Sequence, residues 1–245
     1  MKALILAAGF GSRLAPLTDN CPKSLVEVNG KSILFKQIEN LHENGITDIT
    51  IVSGYKAEIL ESRVKEQYPD INIICSVDYA TTNNMYSAYI AREKLEGESF
   101  LMMNADVFYD SSVIKALLDF NYGNAIVTDI GTYYEESMKV IEKKGRITNI
   151  SKQISKEDAL GASIDVYKFS PEGGKAFFDK CKEYIEDKKE VKLWSEVALN
   201  DALKEVEFRA CPLVGRWVEI DNHDDLANAE KLFKNSQEII KKRHR

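Results

Sequence analysis

Five short apolar runs, KALILAA, DITIVSG, INIICS, SFLMMNAD and NAIVTDI, punctuate the first half of the chain. Between and after them lie segments of helical periodicity: SILFKQIENLHENG, KAEILESRVKEQY, NMYSAYIAREKLEG and SVIKALLDF. Short continuous apolar runs are what strands buried on both faces require, and their alternation with helices predicts a parallel sheet covered on both sides. The 245 residues, 44% of them apolar, are enough to bury a full core around such a sheet.

After about residue 131 the order changes. MKVIEKKGRITNISK predicts two strands around a Lys-Gly turn, and ASIDVYKF a further strand. A helix opens at Ser170-Pro171-Glu172 and another runs through LWSEVALNDALKE. VEFRACP and RWVEID follow, then a long polar helix from about Asn222 that ends in the basic run KKRHR. This second half reads as a mixed region on the same sheet. The expectation is one domain over 1–245, with a nucleotide-binding half at 1–131, an acceptor-binding half at 132–232 and a basic helical tail or linker at 233–245.

Net charge narrows the partners. At −6 the chain lacks the basic excess that a nucleic-acid backbone or an anionic membrane rewards, so neither is expected. Cys21, Cys75, Cys181 and Cys211 show no metal-ligand spacing, and no apolar run of about 18 residues is present. Reduced thiols and a cytoplasmic location are expected.

The stretch LAAGFGSRLAPLTDNCPKSL, Leu6 to Leu25, carries the chemistry. A glycine-containing loop after the first strand of a parallel sheet lets backbone amides approach phosphate oxygens, and Gly9 and Gly11 are placed for that. GFGSRL lacks the third glycine of a dinucleotide fingerprint, and no GK[ST] follows it. Arg13 offers a planar fork for phosphate oxygens, and Lys23, between Pro22 and Ser24, a point charge on a stiffened loop.

These twenty residues resemble the LAAGxGxRLxPLTxxxPKxL signature of the sugar-phosphate nucleotidyltransferase superfamily. DYATTNNMYSAYIA is similar to the segment after the third strand in its small cytidylyltransferases, which activate phosphocholine, 2-aminoethylphosphonate and related phospho-amines. MNADVFY resembles the superfamily's metal-binding aspartate and WVEIDNHDDL its second acidic site. The resemblance implies a Rossmann-like three-layer α/β nucleotidyltransferase fold with a mainly parallel mixed central sheet. It also implies attack by a phosphate or phosphonate oxyanion on the α-phosphorus of a nucleoside triphosphate, expelling pyrophosphate.

Such a nucleophile is already ionised near neutral pH and needs no general base. The three scattered histidines, His42, His223 and His244, agree with that. What the reaction needs is charge neutralisation and positioning. The resemblance gives Gly9, Gly11, Ser12 and Arg13 to the triphosphate, Lys23 to the developing charge, and Asp106 with Asp221 and Glu219 to Mg²⁺. Read from the residues alone, Asp106 could equally be a cap before Ser111, and Asp221 a cap on the last helix. Leu6, Ala8 and Gly9 are implied for the nucleoside, and Thr82, Asn83 and Ser87 for the base. An asparagine carbonyl can accept from the cytosine amino group, so CTP is the expected donor. Asn83 and Asn84 also suit a turn and helix cap, which could coexist with base contact.

For the acceptor, Lys139 and Lys152 match lysines of related cytidylyltransferases that meet phosphate, although bare strand lysines more often face solvent. Tyr133 and Glu135 in TYYEES, with Trp194 and Glu196 in LWSEVALND, are the candidates for the amine end. A quaternary ammonium leans on aromatic faces, whereas a primary ammonium needs acceptors. The choline-type relatives carry a tryptophan in the first of these loops and this chain does not, which tilts the expectation to 2-aminoethylphosphonate over phosphocholine or phosphoethanolamine. Trp194 could also be a core residue. A sugar-1-phosphate enzyme and a non-catalytic regulatory relative are the rival readings, and a homodimer or fusion to a further domain stays open.

Overall fold

The computed structural model describes residues 1–234; the expected basic run KKRHR lies outside the described residues. The chain opens with β1 (Lys2–Ala7), followed after the glycine loop by two very short paired strands, β2 (Glu27–Val28) and β3 (Lys31–Ser32). Then come α1 (Ile33–Glu43), β4 (Ile49–Ser53), α2 (Ala57–Gln67), β5 (Asn72–Cys75) and α3 (Asn84–Ile90). β6 (Phe100–Asn104), β7 (Val107–Tyr109), α4 (Ser112–Asp119) and β8 (Ala125–Ile130) complete the first half. The second half contains the hairpin β9 (Lys139–Lys143) and β10 (Arg146–Ser151), then β11 (Gly161–Phe169), α5 (Pro171–Lys182) and α6 (Ser195–Ala202). β12 (Arg209–Pro212), β13 (Trp217–Glu219) and α7 (His223–Leu232) follow.

Nine strands form one sheet, along which β10, β9, β11, β6, β1, β4 and β5 are neighbours. β5, β4, β1 and β6 are parallel, as the strand–helix alternation predicts. The mixed character enters at β11, which runs antiparallel to β6, β8 and β9, while β12 joins β8 in parallel. The result is a three-layer α/β fold. One face of the sheet packs α3, α5 and α6 around Phe100, Phe169, Phe177 and Phe208, and the other packs α1, α2 and α4 around Leu34, Leu60 and Leu117.

Three departures from the sequence reading have local causes. The helix predicted over 84–97 ends at Ile90 and tightens into a 3₁₀ turn, Arg92–Lys94, which keeps Ala91 and Leu95 in the core. β2, β3 and β7 are too short to show a period. The last helix starts where expected, with Asn222 as N-cap in a reciprocal capping box with Asp225, so the cap is Asn222 and not Asp221. Among the described residues no helix is long and apolar enough to cross a membrane.

Phe169 is fully buried, stacked on Phe100 at 4.8 Å and packed against Phe177 and Phe208. Phe169→Ala is expected to cost about 3–5 kcal/mol, read as a lower midpoint in urea unfolding.

Candidate active site

The loop after β1 is closed by its own residues. Gly11 has φ +66°, and a Cβ there would lie 2.6 Å from the Lys23 Cβ, so both the conformation and the close approach call for glycine. The Thr18 hydroxyl donates to the Gly11 carbonyl at 2.9 Å, and Leu14, fully buried, pins the intervening turn. Outside, the Phe10 ring meets Tyr55 at 5.0 Å and Tyr79 at 5.1 Å. The Tyr55 hydroxyl reaches the Thr18 and Asp19 carbonyls, both at 3.1 Å. The loop is thus held at both ends, and Lys23 opens a short turn just behind Gly11.

Asp106 and Asp221 meet through a separate antiparallel ribbon, β7 with β13, in which Glu219 opposes Val107 and the Ile220 N–H donates to the Asp106 carbonyl at 2.8 Å. Oxygen atoms of Asp106, Glu219 and Asp221 come within 4.8 Å of one another. Lys23 Nζ lies 3.0 Å from Asp106 Oδ2 and 2.6 Å from Asp221 Oδ1, and Arg13 Nη2 lies 2.9 Å from Asp221 Oδ2.

The ionisation of these groups is set by competition between burial and charge. Burial works to lower the Lys23 pKa, but Asp106 and Asp221 outweigh it and hold the ammonium above its ordinary value. Burial works to raise Asp221, but Lys23 and Arg13 outweigh it and hold the carboxyl low. Glu219 lacks such a partner; burial, then Asp106 and Asp221, push it up to about 7. Asp106 Oδ1 is buried without a hydrogen-bond partner among the described residues. Three clustered carboxylates with one orphaned oxygen are hard donors that fit a divalent ion such as Mg²⁺.

In front of this cluster opens a cavity of about 280 Å³. Leu6, Ala8 and Gly9 form its floor at the end of β1, and Thr82, Asn83 and Ser87 one side. Arg13, Asp106, Glu219 and Asp221 line it together with Lys152, Trp194 and Glu196. Asn83 is the N-cap of α3, its Oδ1 accepting from the Asn84 N–H at 2.8 Å while it lines the cavity, so capping and exposure to a ligand do coexist. Trp194 is 46% exposed and sits at the N-cap of α6, with Lys152 Nζ 5.3 Å from its ring centroid; it is not a core residue.

Other expected residues fall elsewhere. Gly11 and Ser12 shape the loop and are not on the cavity wall, and Lys23 lines a small adjoining recess with Gly9 and Asp106. Lys139, Tyr133 and Glu135 are also off the wall. Lys139 is fully buried, donates to the Glu135 carbonyl at 2.7 Å and the Tyr134 carbonyl at 3.2 Å, and lies 4.9 Å from the Tyr133 ring centroid. Burial lowers its pKa. These residues tie down the loop before β9.

The sequence reading missed Tyr79, Asn84, Asn104, Met138 and Asp165, all on the wall. Asp165 had a signal: it is the one acid inside the apolar run GASIDVYKF. Asn104, two residues before Asp106, had none beyond that proximity.

The nucleotidyl transferase family model matches residues 2–236, and the chain belongs to that family. It is an enzyme, a nucleotidyltransferase, of a family that generally uses a divalent metal ion. It is 32% identical to a choline-phosphate cytidylyltransferase of Streptococcus pneumoniae over 96% of this chain and 99% of that one. It is 28% identical to a CTP:phosphoglutamine cytidylyltransferase of Campylobacter jejuni, over 92% of this chain and 98% of that one. The solved structure of the CTP:phosphocholine cytidylyltransferase of S. pneumoniae superposes with a TM-score of 0.77 at 27% identity, covering 95% of this chain and 99% of that one.

Two outcomes follow from the charges. Lys23 supplies counter-charge to the carboxylates, so Lys23→Ala is expected to bind Mg²⁺ without nucleotide on the order of tenfold more tightly, read by calorimetric titration. Equal or weaker binding would show that Lys23 does not compete with the metal. For Glu219, the pKa rises from an ordinary 4.5 to about 7 on folding, so its stabilising proton is fully held below pH 4.5 and lost as pH rises through 7. Metal-free Glu219→Gln should therefore gain stability relative to the parent at pH 8 compared with pH 5, measured by urea unfolding at both.

Proposed function

Taking that family membership as the premise, we propose that the protein transfers CMP from CTP to a small acceptor carrying a phosphate or phosphonate at one end and an amine at the other, with release of pyrophosphate. The favoured acceptor is 2-aminoethylphosphonate, giving CMP-2-aminoethylphosphonate. The observation that carries the reading is the mixed charge of one cavity wall: Arg13 stands with the metal-type carboxylates that Lys23 backs, and Glu196 with Trp194 lines the same cavity. Such a wall suits a short acceptor with opposite charges. The names of the relatives support cytidylyl transfer to a phospho-acceptor.

In this reading residues 1–131 hold the nucleotide and 132–232 the acceptor. Leu6, Ala8 and Gly9 receive the nucleoside, and Thr82, Asn83 and Ser87 meet the base. The loop amides from Gly9 to Arg13 and the Arg13 guanidinium hold the triphosphate. Asp106, Asp221 and Glu219 would hold Mg²⁺, which when bound supplies charge neutralisation at the α-phosphate. Lys23, released from its carboxylates, steadies the charge on the leaving pyrophosphate. Lys152 draws in the acceptor's oxyanion. That oxyanion forms the new bond to the α-phosphorus as the bond to the pyrophosphate oxygen breaks, and no proton must be removed. His42 packs on Tyr68, and His223 pairs with the Ala15 carbonyl, so neither lies on the cavity wall as a base.

Phosphocholine is the second reading, favoured by the open Trp194 ring and by the pneumococcal relative. Against an aromatic cage stand two facts: Lys152 already lies over that ring, and Tyr79 and Trp194 are the only aromatic residues on the wall among the described residues.

Pyrophosphate release with Mg²⁺ and CTP, offered 2-aminoethylphosphonate, phosphocholine, phosphoethanolamine and glucose-1-phosphate, decides between them, and a UTP repeat tests the base. Asp106→Ala and Lys23→Ala should each lower kcat by about 100-fold or more. A folded variant with full turnover would remove the mechanism.

A further inference from the structure

β11 is irregular where it passes the cavity. Ser163 opposes Thr128 and Tyr167 opposes Ile126, so β11 carries surplus residues between them and bulges. Asp165 sits in that bulge at φ +56°, a conformation that asparagine and aspartate tolerate better than most side chains. Its carboxylate lines the cavity, where Asn104 Nδ2 lies 3.1 Å from Oδ2 and the Tyr167 hydroxyl 2.9 Å from Oδ1. The same hydroxyl lies 2.8 Å from Glu196 Oε1. One hydroxyl hydrogen therefore serves two carboxylates.

No lysine or arginine among the described residues forms an ion pair with Asp165 or Glu196, in contrast to Asp106 and Asp221. Burial, then the charges of Glu196, Glu219 and Asp106, raises Asp165; burial raises Glu196, and the charge of Lys152 works against that rise. Buried acceptors in excess of donors, open to a cavity, are completed by a ligand that brings donors and positive charge.

We infer that Asp165, joined to Glu196 through Tyr167, anchors the acceptor's ammonium group and selects a primary amine; this rests on the proposed cytidylyl transfer. A primary ammonium carries three N–H donors for the oxygens of Asp165, Glu196 and Asn104, whereas a trimethylammonium carries none. The anchor also sets orientation. Its negative charge repels the acceptor's phosphonate, which is left at the end facing Arg13 and Lys23.

The test compares the full-length parent with Asp165→Asn, which keeps the side-chain shape and suits the bulge conformation. Pyrophosphate release with CTP and Mg²⁺ is followed for 2-aminoethylphosphonate, phosphocholine and the uncharged 2-hydroxyethylphosphonate. Expected is a fall on the order of 100-fold in kcat/KM for the aminophosphonate, a change under about threefold for the hydroxy analogue, and an unaltered KM for CTP. Glu196→Gln, the second variant, should show the same selective loss. Equal loss on both phosphonates, or no loss, overturns the inference while cytidylyl transfer stands. A parent that prefers phosphocholine overturns the selection of a primary amine. A parent that releases pyrophosphate with none of the three overturns the inference and the reading beneath it together.

Discussion

The ammonium of Lys23, lodged between Asp106 and Asp221, joins the parts of the molecule that the site requires. Its stem touches the one position where Gly11 admits it, and its charge bridges the turn after β6 to the end of β13. Without it, three clustered carboxylates would stand together at mutual repulsion, and the glycine loop would lose its inner support. A partly buried pair of this kind gives little net stability, since desolvation offsets most of the attraction. Its value lies in placement.

The cavity wall around that junction holds acids of two kinds. Asp106 and Asp221 are ion-paired with Lys23 and Arg13, and Asp165 and Glu196 form no ion pair among the described residues. Asp165 keeps the alternation of β11, on the face of Tyr167 and Phe169 and opposite Ile164 and Val166.

Much of this was legible from the residues. The parallel strands and their helices follow from apolar runs that only a doubly covered sheet can bury, and the glycine loop from a short motif whose spacing is fixed by close approach. What was not legible depends on pairing across long separations. The β7–β13 ribbon consists of three-residue strands, too short for any period to emerge, so the way Asp106 and Asp221 come together was not visible. Lys139 carried no local sign that two loop carbonyls would take its protons in the core. Asp165 stood out as an acid in an apolar run, but its partner Asn104 lies on β6, 61 positions away.

The ion pair between Lys23 and Asp221 spans 198 positions of the chain. During synthesis the glycine loop leaves the ribosome long before the acid that completes its cluster. A growing chain therefore offers no assembled carboxylate cluster until nearly all of these residues have emerged and the ribbon has closed.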